Sequence, residues 1–206
     1  MGAEVSNTKE KILEYAKKEF LQKGFKNASL RNISKNAGVT TGAIYGYFKD
    51  KDSIFIELVI DFMEGLKNLI IEIEGSEMES DMLDLFATKE SRSDMVNIHN
   101  KYINYLYDNI EAAKLIILCA DGSSAENFIE QITSFLTELD KKRLNKINIS
   151  NKKVDVEEFV IHMLVKFYIT SICELIEHDI KREDALRYIT KLSTFLFAGW
   201  AEILKG

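Results

Sequence analysis

Thr40, Thr41, Gly42, Tyr45, Tyr47 and Lys51 crowd into the stretch TTGAIYGYFKDK, and Arg31 stands shortly before them. Two hydroxyls, a bare backbone, two phenols, an amine and a guanidinium make no nucleophile–base pair and no metal-ligand set. They are donors and positive charges, groups that grip a polyanion without changing it. Thr41, Gly42 and Tyr45, at i, i+1 and i+4, share one side of a helix, while Ile44 turns to the other side with Phe48. A glycine on the outer side lets the helix come close to whatever it meets. The hydroxyls of Thr40 and Thr41 sit at a helix N-terminus, where the dipole favours a phosphate. Lys51 adds a positive side chain at the start of the next helix.

Short helices must hold these groups out. Asn7 with Glu10 three residues on is an N-cap signal, after a loose arm over 1–6. The spacing of Ile12, Ala16, Phe20 and Leu21 predicts a helix from about Thr8 to Lys23, stopped by Gly24, with Phe25 packed back on it. Ser29 is placed to cap a second helix, Leu30 to about Asn36, with Leu30, Ile33 and Ala37 inward. Gly38 takes a turn with Val39 beneath it, a third helix runs from Thr40 or Thr41 to about Tyr47, and Asp50 caps a fourth. Helix, glycine turn, helix is the helix-turn-helix arrangement, whose second helix must fit a major groove about 12 Å wide.

The fourth helix, to about Glu74 with an end at Gly75-Ser76, carries Ile54, Leu58, Phe62, Leu66, Leu69 and Ile73 on one stripe. Residues 76–92, with Met82, Leu83, Leu85 and Phe86, give a weak helical pattern. Further helices are predicted over about 94–107, 111–119, 124–146, 155–179 and 183–204, with a break at Asp121–Ser124 and a polar loop at 148–153. The last two are apolar on several sides, which predicts burial against a second copy in a bundle of up to four helices, or else within the monomer's own core.

The 206 residues include no proline, 10 glycines and 46% hydrophobic residues, the profile of a nearly all-helical chain. Residues 1–53 carry a net +4 and the remainder −10, a basic head on an acidic body. Cys119 and Cys173 read as buried free thiols of a reducing compartment. No run reads as a signal peptide or as long enough to span a membrane, so a cytoplasmic protein is expected.

Ile12-Leu13…Ala16…Phe20…Gly24-Phe25, then Ser29-Leu30-Arg31-Asn32-Ile33-Ser34…Ala37-Gly38-Val39, then Gly42-Ala43-Ile44-Tyr45-Gly46-Tyr47-Phe48-Lys49-Asp50-Lys51 resemble the DNA-binding domain of the tetracycline-repressor (TetR) family of bacterial transcriptional regulators. The resemblance covers residues 8–60, about a quarter of the chain, and departs from the family pattern at Gly46-Tyr47, where one contact side chain is missing. It implies an all-α protein of about nine helices, with a helix-turn-helix domain at 1–53 and a ligand-binding and dimerisation domain at 54–206. It implies a homodimer, joined through the two C-terminal helices, on a palindromic double-stranded DNA operator, and release by a small-molecule effector. By position, Arg31 would contact a phosphate or a base. Thr40, Thr41 and Gly42 would face the groove, Tyr45 and Tyr47 would contact phosphates, and Lys51 would anchor the backbone.

For the effector the sequence offers candidates: His99, Tyr102 and Tyr105 on one wall, and Phe128, Ile132, Phe135, His162, Lys166 and Phe167 on another. Such a lining suits an apolar or aromatic ligand. The histidines His99, His162 and His178 lack metal-ligand spacing, and no nucleophile motif or phosphate loop is present, so no enzyme, no cofactor, no metal and no membrane partner are expected. Two other readings stay open: a helix-turn-helix regulator governed by a protein partner, and a helical protein that sequesters lipids or small molecules.

Overall fold

The computed structural model describes residues 2–77, 89–149 and 156–204, and all regular structure among them is helical. In chain order the helices are α1 (Gly2–Asn27), α2 (Leu30–Ala37), α3 (Thr41–Tyr45), α4 (Lys51–Glu77), α5 (Lys89–Asp108), α6 (Ile110–Lys114), α7 (Phe128–Ile149), α8 (Glu158–Glu177) and α9 (Arg182–Ile203). A π-helical turn, Leu115–Cys119, prolongs α6.

Most departures from expectation lie at helix ends. The arm over 1–6 is helical from Gly2 onward. Gly24 does leave the helix, at φ 70 and ψ 162, but a last turn resumes and α1 closes only at Asn27. Such a left-handed φ suits a residue without Cβ. The fourth helix runs through Gly75 and Ser76 to Glu77. The expected polar loop begins inside α7, which continues to Ile149. Met82, Leu83, Leu85, Phe86 and most of the 76–92 segment lie outside the described residues, as does the rest of that loop.

Two compact units make up the chain: Met1–Glu64 with Ile110–Phe128, and Gly65–Asn109 with Ile129–Gly206. The first is centred on Ile12, Ala16, Phe20, Ile33, Ile44, Phe48, Ile54, Phe55 and Val59. Phe20, Phe25 and Phe55 form an aromatic trio with centroids 5.1–5.8 Å apart. Burying each ring is worth about 1.5–3 kcal/mol, and Phe55→Ala would cost about 3–5 kcal/mol. In the second unit Leu144, Ile161, Val165, Trp200 and Leu204 make one buried cluster. Arg182 fastens α9 to α5 through Asn104 and Asp108, and Tyr107 Oη donates to Ile180 O at 2.7 Å.

The expectation that no run could span a membrane needs correction. Glu158–Glu177 is long and apolar enough to cross one by length and composition, and only 33% of its most apolar stretch is buried. Its buried face is Ile161, Val165, Tyr168, Ile172, Leu175 and Ile176. Its outer face shows Phe159, Met163 and Phe167.

Candidate functional site

Helix α3 and its neighbours are held by capping at nearly every joint. The left-handed Gly38 (φ 69) closes α2, with its own N–H on Lys35 O and that of Val39 on Ser34 O. Thr40 starts α3, its Oγ1 accepting from Ala43 N at 3.1 Å. Asp50 and Ser53 cap α4 reciprocally: Ser53 N donates to Asp50 Oδ1 at 2.8 Å and Asp50 N to Ser53 Oγ at 3.1 Å. The backbone hydrogen bond from Ser53 is the main cause holding the Asp50 carboxyl below the usual range.

Ser29 does not cap α2 with its side chain. Buried Glu19 on α1 takes over: its Oε1 accepts from Ser29 N and Asn32 Nδ2, both at 3.2 Å. A carboxylate at a helix N-terminus meets both the free N–H groups and the dipole. The only sequence signal for this was an acid on the apolar stripe beside Ala16 and Phe20.

The proposed contact residues divide into spent and unspent groups. Ser34 Oγ donates to Arg31 O at 3.0 Å, so the 3.1 Å bond between Ser34 Oγ and Thr41 Oγ1 must use the Thr41 proton. The Thr41 hydroxyl therefore ties α3 to α2. Lys51 Nζ donates to the carbonyls of Phe25, Lys26 and Ala28 at 2.6, 3.2 and 3.2 Å and lies 4.5 Å from the Phe25 ring centroid. All three ammonium protons are used on the end of α1, which sequence spacing did not reveal. By contrast, Tyr45 is 57% exposed, Gly42 is exposed and Tyr47 is half-buried. A Cβ on Gly42 would meet only Thr40 Oγ1, at 3.8 Å, so packing does not require glycine there.

Charge divides in the same way. Lys9, Lys18 and Lys26 pair with Glu57, Glu14 and Asp121 at 2.5, 2.5 and 2.7 Å, and Lys17 pairs with Glu111. Among the described residues the side chains of Lys11, Lys23, Arg31, Lys35 and Lys49 make no hydrogen bond or ion pair. The acids that might have claimed Arg31 are occupied, Glu19 by α2 and Asp50 by α4. Lys35 and Lys49 flank α3 in the chain and were not among the expected contacts.

The nine effector candidates are divided between the two units and differ in exposure. Phe128 is fully buried but belongs to the first unit, whereas the other eight belong to the second. Tyr105 Oη is packed against Gly65, leaving no room for a Cβ there. Ile132 is buried, and Phe135 is 38% exposed. Lys166 pairs with Glu130 at 3.0 Å on the surface, and Phe167 is an exposed ring 6.4 Å from Phe195. His162 lines an open cleft of about 480 Å³ with Ser134, Thr137, Glu138, Glu158 and Phe159. Tyr102 is buried and His99 half-buried, with His99 bonded to Ser193 and its ring tilted against that of Tyr168. Burial holds the His99 imidazole down at a pKa of about 4. Among the described residues no three His, Cys, Asp or Glu are placed to hold a metal ion. Cys119 and Cys173 are both free thiols.

Comparison with known proteins places this geometry. Residues 12–58 match the family model of bacterial regulatory proteins, tetR family. The regulator AcrR of Shigella flexneri is 47% identical over 55 residues, 27% of this chain and 26% of that protein. The repressor BepR of Brucella suis is 30% identical over 114 residues, 50% of this chain and 54% of that protein. The matched stretch thus spans between about a quarter and a half of these curated relatives. Two solved structures share the fold over nearly the full length. A TetR-family regulator from Syntrophomonas wolfei has a TM-score of 0.58 at 19% identity, covering 94% of this chain and 96% of that one. FadR of Bacillus subtilis, solved with stearoyl-CoA, has a TM-score of 0.53 at 20% identity, covering 89% and 96%.

Proposed function

From a chain that belongs to the tetR family of bacterial regulatory proteins, we propose a homodimeric, DNA-binding repressor that a small, largely apolar or aromatic ligand releases from a two-fold symmetric operator. The observation that carries the DNA reading is the exposed edge of α3: Tyr45 and Gly42 stand free of the packing, beside unpaired Arg31, Lys35 and Lys49. Arg31, Lys35, Lys49 and the phenols of Tyr45 and Tyr47 hold the phosphates in this proposal. Gly42 and the Thr40 hydroxyl, whose proton is unspent, meet the groove. Thr41 offers its remaining lone pairs and methyl group. Lys51 serves by fixing the end of α1 against the start of α4. The functional division at 53/54 belongs to the same proposal.

The dimer reading rests on the outer faces of α8 and α9. Phe159, Met163, Phe167, Tyr188, Phe195 and Ile203 are between 36% and 69% exposed. So much apolar surface on two neighbouring helices favours a covering partner, and a second copy gives a symmetric four-helix seam. It also accounts for the apolar length of α8 without a membrane. For the effector, FadR, solved with stearoyl-CoA, lends the ligand reading a structural precedent.

The test is selection of bound duplexes from a random-sequence DNA pool by the full-length protein. A symmetric motif with half-sites about one helical turn apart, or a multiple of that, is the expected outcome. An unselected pool would remove the operator reading. Phe195→Glu should yield monomers in sedimentation and loss of the motif; a dimer that persists would place the seam elsewhere.

A further inference from the structure

Hydrogen bonding in the body fails to close at one cluster. His99 on α5 places Nδ1 2.5 Å from Ser193 Oγ on α9. Ser193 Oγ gives its single proton to Ile189 O, 2.6 Å away. Only lone pairs remain for the imidazole, so Nδ1 carries the ring proton and Nε2 is a bare acceptor. The ring of Tyr168 on α8 lies against that imidazole, centroids 4.4 Å apart at a tilt of 30°. Nearly parallel rings offer each other their faces, whereas a hydrogen bond to Nε2 needs a donor in the imidazole plane. Tyr168 Oη is accordingly buried with no partner. A buried donor without a partner thus stands beside a half-buried imidazole whose Nε2 makes no hydrogen bond among the described residues, although buried polar groups are nearly always paired. Asn100 Oδ1, from the next residue along α5, is the other buried side-chain atom without a partner among the described residues.

Among the described residues no charged group shifts either ring. Burial is what lowers the His99 pKa, and beyond burial only the Tyr102 phenol bears on Tyr168. A carboxylate brought here would meet no cation, and an ammonium no anion. One hydroxyl, donor and acceptor at once, would satisfy both rings.

Resting on the ligand-released repressor proposed above, we propose that His99 and Tyr168 seat the polar end of the effector, and that this end is an uncharged hydroxyl, an alcohol or a phenol, accepting from Tyr168 Oη and donating to His99 Nε2. Ser193 is the positioning residue that fixes the imidazole tautomer. The apolar remainder of the molecule supplies the rest of the affinity.

The test uses the full chain without DNA. Calorimetric titrations with phenol, benzyl alcohol and 1-octanol are set against benzoate, benzylammonium and octanoate at about pH 7, where His99 is neutral. At least one hydroxyl probe should bind saturably, and its charged counterpart on the order of tenfold more weakly. Tyr168→Phe should keep or raise Tm, since it removes an unpaired hydroxyl, and should weaken that probe about tenfold. Ser193→Ala, which frees the tautomer, should weaken it by a smaller factor, and carries the test if the phenylalanine variant does not fold. The proposal is overturned by no binding of any hydroxyl probe, by equal binding of the charged ones, or by binding indifferent to both variants. A lowered Tm in Tyr168→Phe without probe binding assigns Oη to a buried water and overturns it too. Operator release is read separately. A hydroxyl probe that binds through Tyr168 but leaves DNA bound upholds the seat and removes the ligand-released repressor. Release by charged compounds alone upholds that reading and overturns the seat.

Discussion

The head and the body treat their polar side chains in opposite ways. Around α2 and α3 the acids, hydroxyls and one lysine are consumed by the protein's own backbone. Glu19 serves the start of α2, Ser34 and Thr41 join the two helices, Asp50 caps α4, and Lys51 holds the end of α1. What faces outward is the small remainder that these bonds leave over. In the body the buried Tyr168 hydroxyl is left without a partner, beside the half-buried His99 ring. A surface that must match a rigid duplex gains from fixing its geometry first. A seat for a small molecule gains from leaving groups unpaired until the ligand arrives, because only then does binding recover their desolvation cost.

The largest effect expected from this contrast is at Glu19. Glu19→Ala strands the N–H of Ser29 and the amide of Asn32 in a partly buried place, at a cost of about 3 kcal/mol. Denaturant unfolding should show it as a lower midpoint at unchanged m-value. DNA affinity, measured where the variant is still folded, should fall as well, because α2 and α3 lose their anchor. A variant as stable as the parent would mean that the head does not depend on spent polar groups.

The body answers with pH. Burial depresses the folded pKa of His99 to about 4, while the unfolded ring titrates near its ordinary 6.5. Below pH 6.5 the unfolded chain binds the extra proton, so stability rises with pH across the window from 4 to 6.5 and is lost as pH falls through it. At pH 5 the loss amounts to about 2 kcal/mol. His99→Gln should flatten this part of the stability profile. If the slope persists, another group sets it and the His99 environment is wetter than its packing indicates.

These two cases also mark how far the sequence could be read. Helix existence was legible almost throughout, because the stripes Ile12–Ala16–Phe20 and Ile54–Phe62–Leu66–Ile73 repeat at helical spacing and all these residues are buried. Helix ends were less so: Ser29 has the right type for a cap, yet the bond comes from Glu19, which is distant in sequence. Lys51 shows the same limit, since its three carbonyls lie 23 to 26 residues away. In the body the aromatic candidates could be named, but helical spacing cannot say whether Phe167 points inward or, as found, to the surface beside Phe195. Tyr168 and Ser193 were missed, because an unpaired buried hydroxyl leaves no mark on composition or period.

Lys51 and Lys49 sharpen the contrast within the head itself. Lys51→Met removes three hydrogen bonds from an ammonium and should cost about 1.5 kcal/mol in unfolding experiments. It should leave the dependence of DNA affinity on salt nearly unchanged. Lys49→Ala should do the reverse: stability within about 0.5 kcal/mol of the parent and a salt slope lower by about one unit. Equal slopes for Lys49→Ala and the parent, with a reduced slope for Lys51→Met, would reverse the assignment and return Lys51 to the phosphates.

Gly42 carries the smallest stability effect and the cleanest separation of fold from function. Its Cβ would find open space apart from Thr40 Oγ1 at 3.8 Å, and its φ is not in the left-handed region. Alanine has the better helix propensity, so Gly42→Ala should leave stability equal or higher by a few tenths of a kcal/mol. Nothing in the packing then explains a glycine on the outer edge of a five-residue helix. A duplex surface does, since one added methyl there would hold the helix off the groove floor. Operator affinity in Gly42→Ala should fall about tenfold with no change in dimerisation or in the salt slope, because the loss is steric rather than ionic. Unchanged affinity would move the reading face away from Gly42 and toward Tyr45 and, beyond the end of α3, Lys49.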